Sequence, residues 1–527
     1  MSTALGAGPV AAARPAAVPA RDWIAVIGGV LGAFMAVLDI QITNASLADI
    51  QGALGASLDE GSWISTGYLI AEIIVIPLTG WLSQVFGLRR YILVNAVLFL
   101  GFSMLCGTAT TLNQMILYRI GQGFTGGVLI PLAFTIILIK LPPARRAIGS
   151  AMFGFSATFA PAIGPTIGGW LTDNYSWHWI FYINLIPGLV LITMIWVGLD
   201  RAPSQLGRLL RGDWIGIAAM AVGLGCLEYM LEEGQRKDWF GDDTIRTCAW
   251  LAAICLSFFL VWELTRKEPF IDLRLLGRRT LGAATAINFA TGLALYGSVF
   301  ILPLYLSSVQ GYDALQIGQV QMWMGLPQLF LFPLLPLILR YVDSRVVCGF
   351  GLTLFAASCF INGTTMTHDT GIDQLEFSQF VRALGQPLLM SPLAQMATIG
   401  IGPQQAGSAS ALFNMMRNLG GSVGIALLST VADQREHYHF SIVAERVTHN
   451  STQAADWLAR ATQALSARGG DAATQAVAEL AQMVRREAYV MAYADCFMLI
   501  GLALVVAIGG VFFLARARPG GPGGAAH

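Results

Sequence analysis

Four ionisable side chains, Asp39, Glu72, Arg119 and Glu228, stand in stretches otherwise apolar enough to lie inside a bilayer. Asp39 occupies Ala36-Val37-Leu38-Asp39-Ile40-Gln41-Ile42-Thr43-Asn44, within an apolar run from about Trp23 to Leu47. A carboxylate at membrane depth costs about 2.5–3.5 kcal/mol on insertion scales, so it persists where protonation or pairing is useful. Asp39 therefore reads as part of a proton-carrying site. Arg119 needs a counter-charge or dense hydrogen bonding if buried, and Asp39 is one candidate partner; the plainer alternative is a structural pair between two helices. Glu72, in Tyr68-Leu69-Ile70-Ala71-Glu72-Ile73-Ile74-Val75-Ile76-Pro77, is a second carboxylate at that depth. Removal from water favours its neutral acid, which suits a proton carrier and equally a protonated, hydrogen-bonded packing residue. Arg382 opens a later apolar run as Arg119 opens an earlier one, and reads as its counterpart in the second half. Asp495 reads as interfacial.

The elements that position these groups are set by composition. The chain is 527 residues long, 55% hydrophobic, 12% charged and of zero net charge, with a mean hydropathy of +0.63. A soluble domain carries about a quarter charged residues, so this is an all-α integral membrane protein. Zero net charge gives no general attraction to nucleic acid. The seven cysteines show no C-x-x-C pair and read as reduced packing residues. The six histidines have no metal-ligand spacing. A phosphate-binding loop is absent, as is a nucleophile–base set, so the sequence supports neither ATP hydrolysis nor a membrane enzyme, and no cofactor is expected.

Apolar runs predict about fourteen spans, near 23–47, 62–83, 91–109, 113–138, 148–172, 179–199, 213–232, 245–264, 281–306, 316–339, 346–365, 376–400, 406–431 and 488–514. With the N-terminus in the cytoplasm, the short cytoplasmic segments hold most of the basic residues, among them Arg89, Arg90, Lys140, Arg145, Arg146, Arg278, Arg279, Arg340 and Arg345, while the short outer loops hold only Arg236, Lys237 and Arg246. That asymmetry places both termini in the cytoplasm. Residues 1–22 read as a disordered cytoplasmic tail and 515–527 as a Gly-rich one. Residues 432–487 read as a long outer loop with two amphipathic helices, 454–461 and 476–486, separated by Gly469-Gly470. This loop is either a helical cap or a docking surface for a partner outside the membrane.

Local patterns accumulate in order: Gly80-Trp-Leu-Ser-Gln84-Val-Phe-Gly87-Leu-Arg89-Arg90, Leu117-Tyr-Arg119-Ile-Gly-Gln122-Gly123, Ala160-Pro-Ala-Ile-Gly164-Pro165-Thr-Ile-Gly168-Gly169, Trp177-His-Trp-Ile-Phe-Tyr-Ile-Asn184, Leu231-Glu-Glu-Gly-Gln-Arg-Lys-Asp238 and Ser410-Ala-Leu-Phe-Asn414-Met-Met-Arg417-Asn-Leu-Gly420-Gly421-Ser422. Together they resemble the fourteen-helix drug:proton antiporters of the major facilitator superfamily, most nearly the EmrB-type inner-membrane subunit of tripartite multidrug pumps. The resemblance implies two pseudo-symmetric six-helix bundles, 23–199 and 281–514, around a central inserted helix pair, 213–264. It implies proton coupling through Asp39 and Arg119. It makes Glu228 weaker than Glu72, because its helix belongs to the inserted pair. Gly80, Gln84, Gly87, Arg89 and Arg90, the Gly164-Pro165 and Gly168-Gly169 run, Arg382 and Arg417 take conformational roles. Proline removes a backbone hydrogen bond, and glycine lets a neighbouring helix come close. The implied setting is a bacterial inner membrane, with a periplasmic adaptor and an outer-membrane channel as partners, alongside membrane lipid. This chain departs from the usual motifs at Gln84, where Asp is usual, at Gln41 for Thr, at Ala48 for Pro and at His178 for Arg.

A promiscuous cavity mixes aromatics, flexible Met and a few polar groups. Asn44, Asn288, Phe289, Tyr296, Met322, Trp323, Phe413, Asn414, Met415 and Asn418 are the candidates for the substrate surface; ordinary packing or lipid contact is the alternative for each. The whole reads as a proton-coupled exporter of hydrophobic or amphiphilic compounds. Its rivals are an uptake permease of the same fold and a non-transporting scaffold or receptor.

Overall fold

The computed structural model describes residues 18–142, 145–210, 212–267, 269–402, 404–447, 451–466 and 471–515. The first 17 residues, nearly all of the C-terminal tail and Gly469-Gly470 lie outside the described residues. Among those described, every regular element is a helix. The long ones are α1 (Ala20–Ala45), α2 (Trp63–Phe86), α3 (Leu88–Cys106), α4 (Leu112–Lys140), α5 (Arg146–Asn174), α6 (Trp179–Gly198), α7 (Trp214–Glu233), α8 (Asp243–Thr265), α9 (Arg279–Ser308), α10 (Ala314–Tyr341), α11 (Ser344–Thr365), α12 (Ile372–Ala397), α13 (Ala406–Arg446) and α14 (Ala472–Val511). Helix α1 begins at Ala20, inside the segment expected to be a tail.

Twelve helices are long and apolar enough to cross a membrane. The other two, α12 and α13, have the length but spend polar residues on the protein interior: Gln379, Arg382, Gln386 and Ser391 on α12, and Ser410, Asn414, Arg417 and Ser422 on α13, are all buried. Polar side chains are tolerated at membrane depth where they face the bundle rather than lipid. Aspartates start several spans by accepting backbone N–H groups: Asp213 for α7, Asp242 for α8, Asp343 for α11, and Asp313 for α10, where Gln316 completes a capping box.

Helices α1–α6 form one bundle and α9–α14 the other. Helix α7 packs on α2 and α13, where the bundles meet, and α8 packs on α7. The bundles also touch where α5 runs along α10 and α12, and where α2 and α4 meet α13. Alternating helix directions gather Arg89, Lys140, Arg146, Arg279 and Arg345 at one end of the molecule, hereafter the basic end. There Lys140 bridges Asp22 and Asp200, each at 2.9 Å, tying α1 and α4 to the segment after α6. The hydrogen bond from Lys140 holds the exposed Asp200 carboxyl below its usual range.

At the other end the expected loop is mostly helix. Helix α13 continues to Arg446 and α14 starts at Ala472, so residues 432–446 and 472–487 extend the membrane helices beyond their apolar spans. The stretch 432–466 contains neither Gly nor Pro and is rich in Ala, Gln, Glu and Arg, all compatible with helix. Asp495, in the middle of α14, holds this extension together. It accepts Arg435 Nε at 2.5 Å and faces His439 Nε2 at 2.8 Å, and Arg485 reaches Glu436 at 3.1 Å. A separate helix, Thr452–Ser466, lies against α14.

Candidate functional site

Two polar centres occupy the interior, and they are distinct. The first is built on Asp39. Its Oδ2 takes Arg119 Nη1 at 2.6 Å; its Oδ1 takes Gln122 Nε2 at 2.8 Å and Asn184 Nδ2 at 2.7 Å. Arg119 also donates to Gln122 Oε1 at 2.7 Å and to the Ile64 carbonyl at 3.3 Å, and its guanidinium lies 4.2 Å from the Tyr68 ring centroid. Asn184 reaches Ser103 Oγ at 3.1 Å. One carboxylate thus joins α1, α4 and α6 directly, and α2 and α3 through its partners. A buried ion pair is tolerable only when the remaining lone pairs and protons are also bonded, and that is the arrangement here. The sequence pairs Asp39 with Arg119, but Gln122 and Asn184 went unassigned; their signal was that of lone amides in apolar helices.

The second centre lies between the bundles. Asn418 Nδ2 on α13 donates to Glu72 Oε1 on α2 at 3.0 Å, and Ser422 Oγ donates to Glu228 Oε1 on α7 at 2.6 Å. A small cavity of about 70 Å³ meets Glu72, Glu228, Glu232, Asn418 and Ser422. It shares Gln41, Asn44, Tyr296 and Ile425 with a larger cavity of about 320 Å³ that extends to Phe300, Pro303 and Gln321. These residues sit near the end of α1, in the second half of α9 and at the start of α10. The space therefore lies in the half of the molecule away from the basic end.

On the basic side the bundles are shut. Gly80 and Gly407 touch backbone to backbone, such that a Cβ at Gly80 would stand 2.8 Å from the Gly407 carbonyl carbon. Ser410 Oγ donates to the Pro131 carbonyl at 2.6 Å, and Phe413 stacks on Phe134 with centroids 5.4 Å apart. Helix α5 meets α1 through its glycines: a Cβ at Gly164 would lie 2.4 Å from Gln41 Cβ, and one at Gly168 would lie 2.8 Å from the Ile42 carbonyl oxygen. Gly87 turns the chain between α2 and α3 at φ 82°, where side-chain-bearing residues are strained. Gln84 accepts Arg208 Nη1 at 2.7 Å from the segment linking α6 to α7, Arg89 is half-stacked on Trp196 at 4.6 Å, and Arg90 is exposed.

Of the ten residues expected at the substrate surface, Asn44, Tyr296 and Asn418 line these cavities. Asn288, Phe289, Met322, Trp323, Phe413, Asn414 and Met415 do not. Asn288 donates to the Phe413 carbonyl at 2.7 Å and Asn414 to the Ser410 carbonyl at 2.9 Å, so both are used in helix contacts of the closed half. Pattern alone selects helices that border the cavity but not the face turned to it. Gln41, Glu232, Phe300 and Gln321, outside the ten expected residues, also line these cavities; Glu232 stands beside Glu233 at the end of its apolar run. Arg382 does not reproduce the Arg119 pair: it reaches only the Leu295 carbonyl, at 3.4 Å, and lies 5.3 Å from the Phe355 ring. Arg417 is buried, with its guanidinium carbon 5.8 Å from the Phe153 ring centroid.

The sequence model described as Major Facilitator Superfamily matches residues 29–425. The chain is 32% identical over 503 residues to the colistin resistance protein EmrB of Acinetobacter baumannii, covering 95% of this chain and 98% of that one. It is 30% identical over 501 residues to the multidrug export protein EmrB of Escherichia coli K12, covering 94% and 96%. Among solved structures, the proton:xylose symporter XylE aligns with a TM-score of 0.55 at 14% identity, covering 92% of this chain and 95% of that one, a likeness of fold alone.

Proposed function

Since the chain belongs to the major facilitator superfamily and matches EmrB-type multidrug transporters over nearly its whole length, we propose that it is a proton-coupled antiporter exporting hydrophobic or amphiphilic drugs and toxic compounds, and the inner-membrane component of a tripartite efflux pump. The observation that carries this reading is the inter-bundle cavity walled by Glu72, Glu228 and Glu232 and shut on the basic side. With the basic end in the cytoplasm, the cavity belongs to the outward-facing half of an alternating-access cycle, in which one bundle rocks against the other around a midplane site.

Glu72 is the proton site of the cavity. An amide hydrogen bond to a carboxylate is stronger when the carboxylate is charged, so protonation from outside weakens the Asn418–Glu72 link between α2 and α13 and loosens the bundles. The Asp39–Arg119 pair is the second proton-sensitive element. Arg119 holds the Ile64 carbonyl and the Tyr68 ring on α2, about two turns and one turn before Glu72, so a change at Asp39 is felt on the helix that carries the cavity carboxylate. One proton crossing ~100 mV supplies about 2.3 kcal/mol. At about 1.4 kcal/mol per decade that sustains a roughly fifty-fold substrate gradient per net charge. Glu72→Gln keeps an acceptor for Asn418 but carries no proton. In proteoliposomes this variant is expected to exchange substrate downhill while its uphill gradient falls from roughly fifty-fold to unity. Uphill export at the wild-type level would remove Glu72 from the coupling.

The helical extension of α13 and α14, with Thr452–Ser466 against it, is the contact for a periplasmic adaptor, which continues to an outer-membrane channel. Replacing residues 447–471 by a short Gly/Ser linker is expected to reduce adaptor co-purification without affecting insertion; undiminished co-purification would remove this assignment.

The experiment that tests the reading uses a pump-deficient bacterium producing this chain with and without a matching adaptor, and follows efflux of a panel of hydrophobic compounds before and after collapse of the proton gradient. Gradient-dependent efflux that needs the adaptor is the expected result. Gradient-driven accumulation would mean uptake, and no movement of any compound by correctly inserted protein would favour a scaffold.

A further inference from the structure

Of the four glutamines on helix α10, Gln321 and Gln328 stand seven residues apart on one face. Both are buried, at 2% and 0% exposure, and the fold treats them differently. Gln328 is fully engaged: its Nε2 donates to Gln386 Oε1 and to the Met324 carbonyl, each at 2.8 Å, and its Oε1 accepts from Thr158 Oγ1. Among the described residues, neither Nε2 nor Oε1 of Gln321 has a hydrogen-bond partner. Its side chain lines the cavity of about 320 Å³. Buried polar groups in folded proteins are nearly always bonded, and an unmade one is costly. Both atoms are shielded from the cavity itself, so a turn of the side chain about its own bonds presents them to a ligand; a donor and an acceptor left unpaired beside a cavity are one half of a hydrogen-bonded pair whose other half is that ligand.

The remaining lining narrows the class of that ligand. Val299, Phe300, Leu304, Ile317 and Ile425 are apolar, Gln41, Asn44, Tyr296 and Ser307 add uncharged polar groups, and no lining residue of this cavity is an acid or a base of the Asp, Glu, Lys, Arg or His type. An ion moved here loses its hydration with no counter-charge. The carboxylates belong to the smaller neighbouring cavity. An uncharged amide matches the wall: its N–H meets Gln321 Oε1, its carbonyl takes Gln321 Nε2, and its apolar body fills the rest. Cavities of a few hundred Å³ hold drug-sized molecules.

We propose that Gln321 is the head-group recognition residue of the large cavity, and that this cavity selects uncharged amphiphiles bearing a primary amide, whose N–H and carbonyl lie on the same side. This rests on the export reading for its biological meaning, but its test requires no transport. Tritiated decanamide is bound to the purified full-length protein in lipid nanodiscs and displaced by unlabelled decanamide, by N,N-dimethyldecanamide, which lacks the donor, by decanoate and by decyltrimethylammonium. Decanamide is expected to compete at least about tenfold better than each of the other three, the effect of one or two well-placed hydrogen bonds. Gln321→Leu, similar in volume, is expected to bind decanamide and its dimethyl analogue equally. Gln321→Met serves as a second apolar variant where leucine impairs folding. Equal competition by the dimethyl amide in the wild type, or a preference that survives in either variant, would overturn the proposal. Amide selectivity without gradient-driven efflux would sink the export reading and leave this one standing; efflux without amide selectivity would do the reverse.

Discussion

Asp39→Asn is expected to abolish gradient-driven export and to lower the stability of the first bundle by about 3 kcal/mol, the low end of the range for breaking a buried ion pair. The size follows from geometry. Asp39 is surrounded by donors only: Arg119 Nη1 on Oδ2, Gln122 Nε2 and Asn184 Nδ2 on Oδ1. An asparagine has one acceptor and one donor end. Whichever way its amide turns, an NH₂ group faces either the guanidinium or the two side-chain amides, donor against donor, and Arg119 keeps its charge without a counter-charge. Arg119 is 1% exposed, so water does not relieve it. The double variant Asp39→Asn/Arg119→Gln removes that orphaned charge and is expected to regain most of the lost stability but no export. Unfolding of the purified variants by heat, with efflux measured in parallel, separates the two roles. Wild-type proton-coupled export by Asp39→Asn would leave the pair a purely structural clamp.

The sequence made the spans and the Asp39–Arg119 pairing legible for one physical reason: charge in an apolar run is rare enough to stand out. Fourteen apolar runs correspond to fourteen long helices, and the cost of burying Arg119 pointed to a carboxylate partner. The faces of the helices were not legible. On α9, Asn288 and Tyr296 are eight residues apart and looked equivalent, yet one is consumed by the Phe413 carbonyl and the other lines the cavity. The difference lies in where α9 crosses α13: Gly292 and Gly420 bring the two backbones together at that point, and no periodicity within α9 encodes the crossing. Gln321 and Gln328 show the same limit on α10: the side chains that engage Gln328, Gln386 and Thr158, lie 58 and 170 residues away, and nothing local separates it from the unpaired Gln321. In the 432–487 segment the two amphipathic stretches, 454–461 and 476–486, fall inside the helix Thr452–Ser466 and α14; what was not legible is that α13 and α14 run on unbroken past the membrane, because polarity reports only that a segment leaves it.

Gly80→Val is expected to drive the protein out of the observed conformation and to reduce export at least about tenfold, on overpacking costs of roughly 1–3 kcal/mol. Gly80 meets Gly407 through backbone atoms, with a Cβ on Gly80 standing 2.8 Å from the carbonyl carbon and 3.0 Å from its oxygen. Backbone cannot step aside as a flexible side chain does, so the valine must push α2 from α13 at the basic end. The neighbouring links between bundles there, Ser410 to the Pro131 carbonyl and Phe413 on Phe134, are stretched with it. Once the bundles separate at this end the clash vanishes, so the cost falls on the outward-facing state alone. A differential cost of this kind moves a two-state equilibrium by about tenfold for each 1.4 kcal/mol. A reporter cysteine at Ser410, buried in the closed interface, is then expected to react faster with an impermeant maleimide applied from the basic side in Gly80→Val than in its absence. A cysteine at Asn44, on the cavity wall, is expected to react more slowly from the opposite side. Opposite changes at the two positions are the signature of a shifted rocking equilibrium. Equal protection of Ser410→Cys with and without the valine would mean that the Gly80–Gly407 contact does not hold the basic side shut.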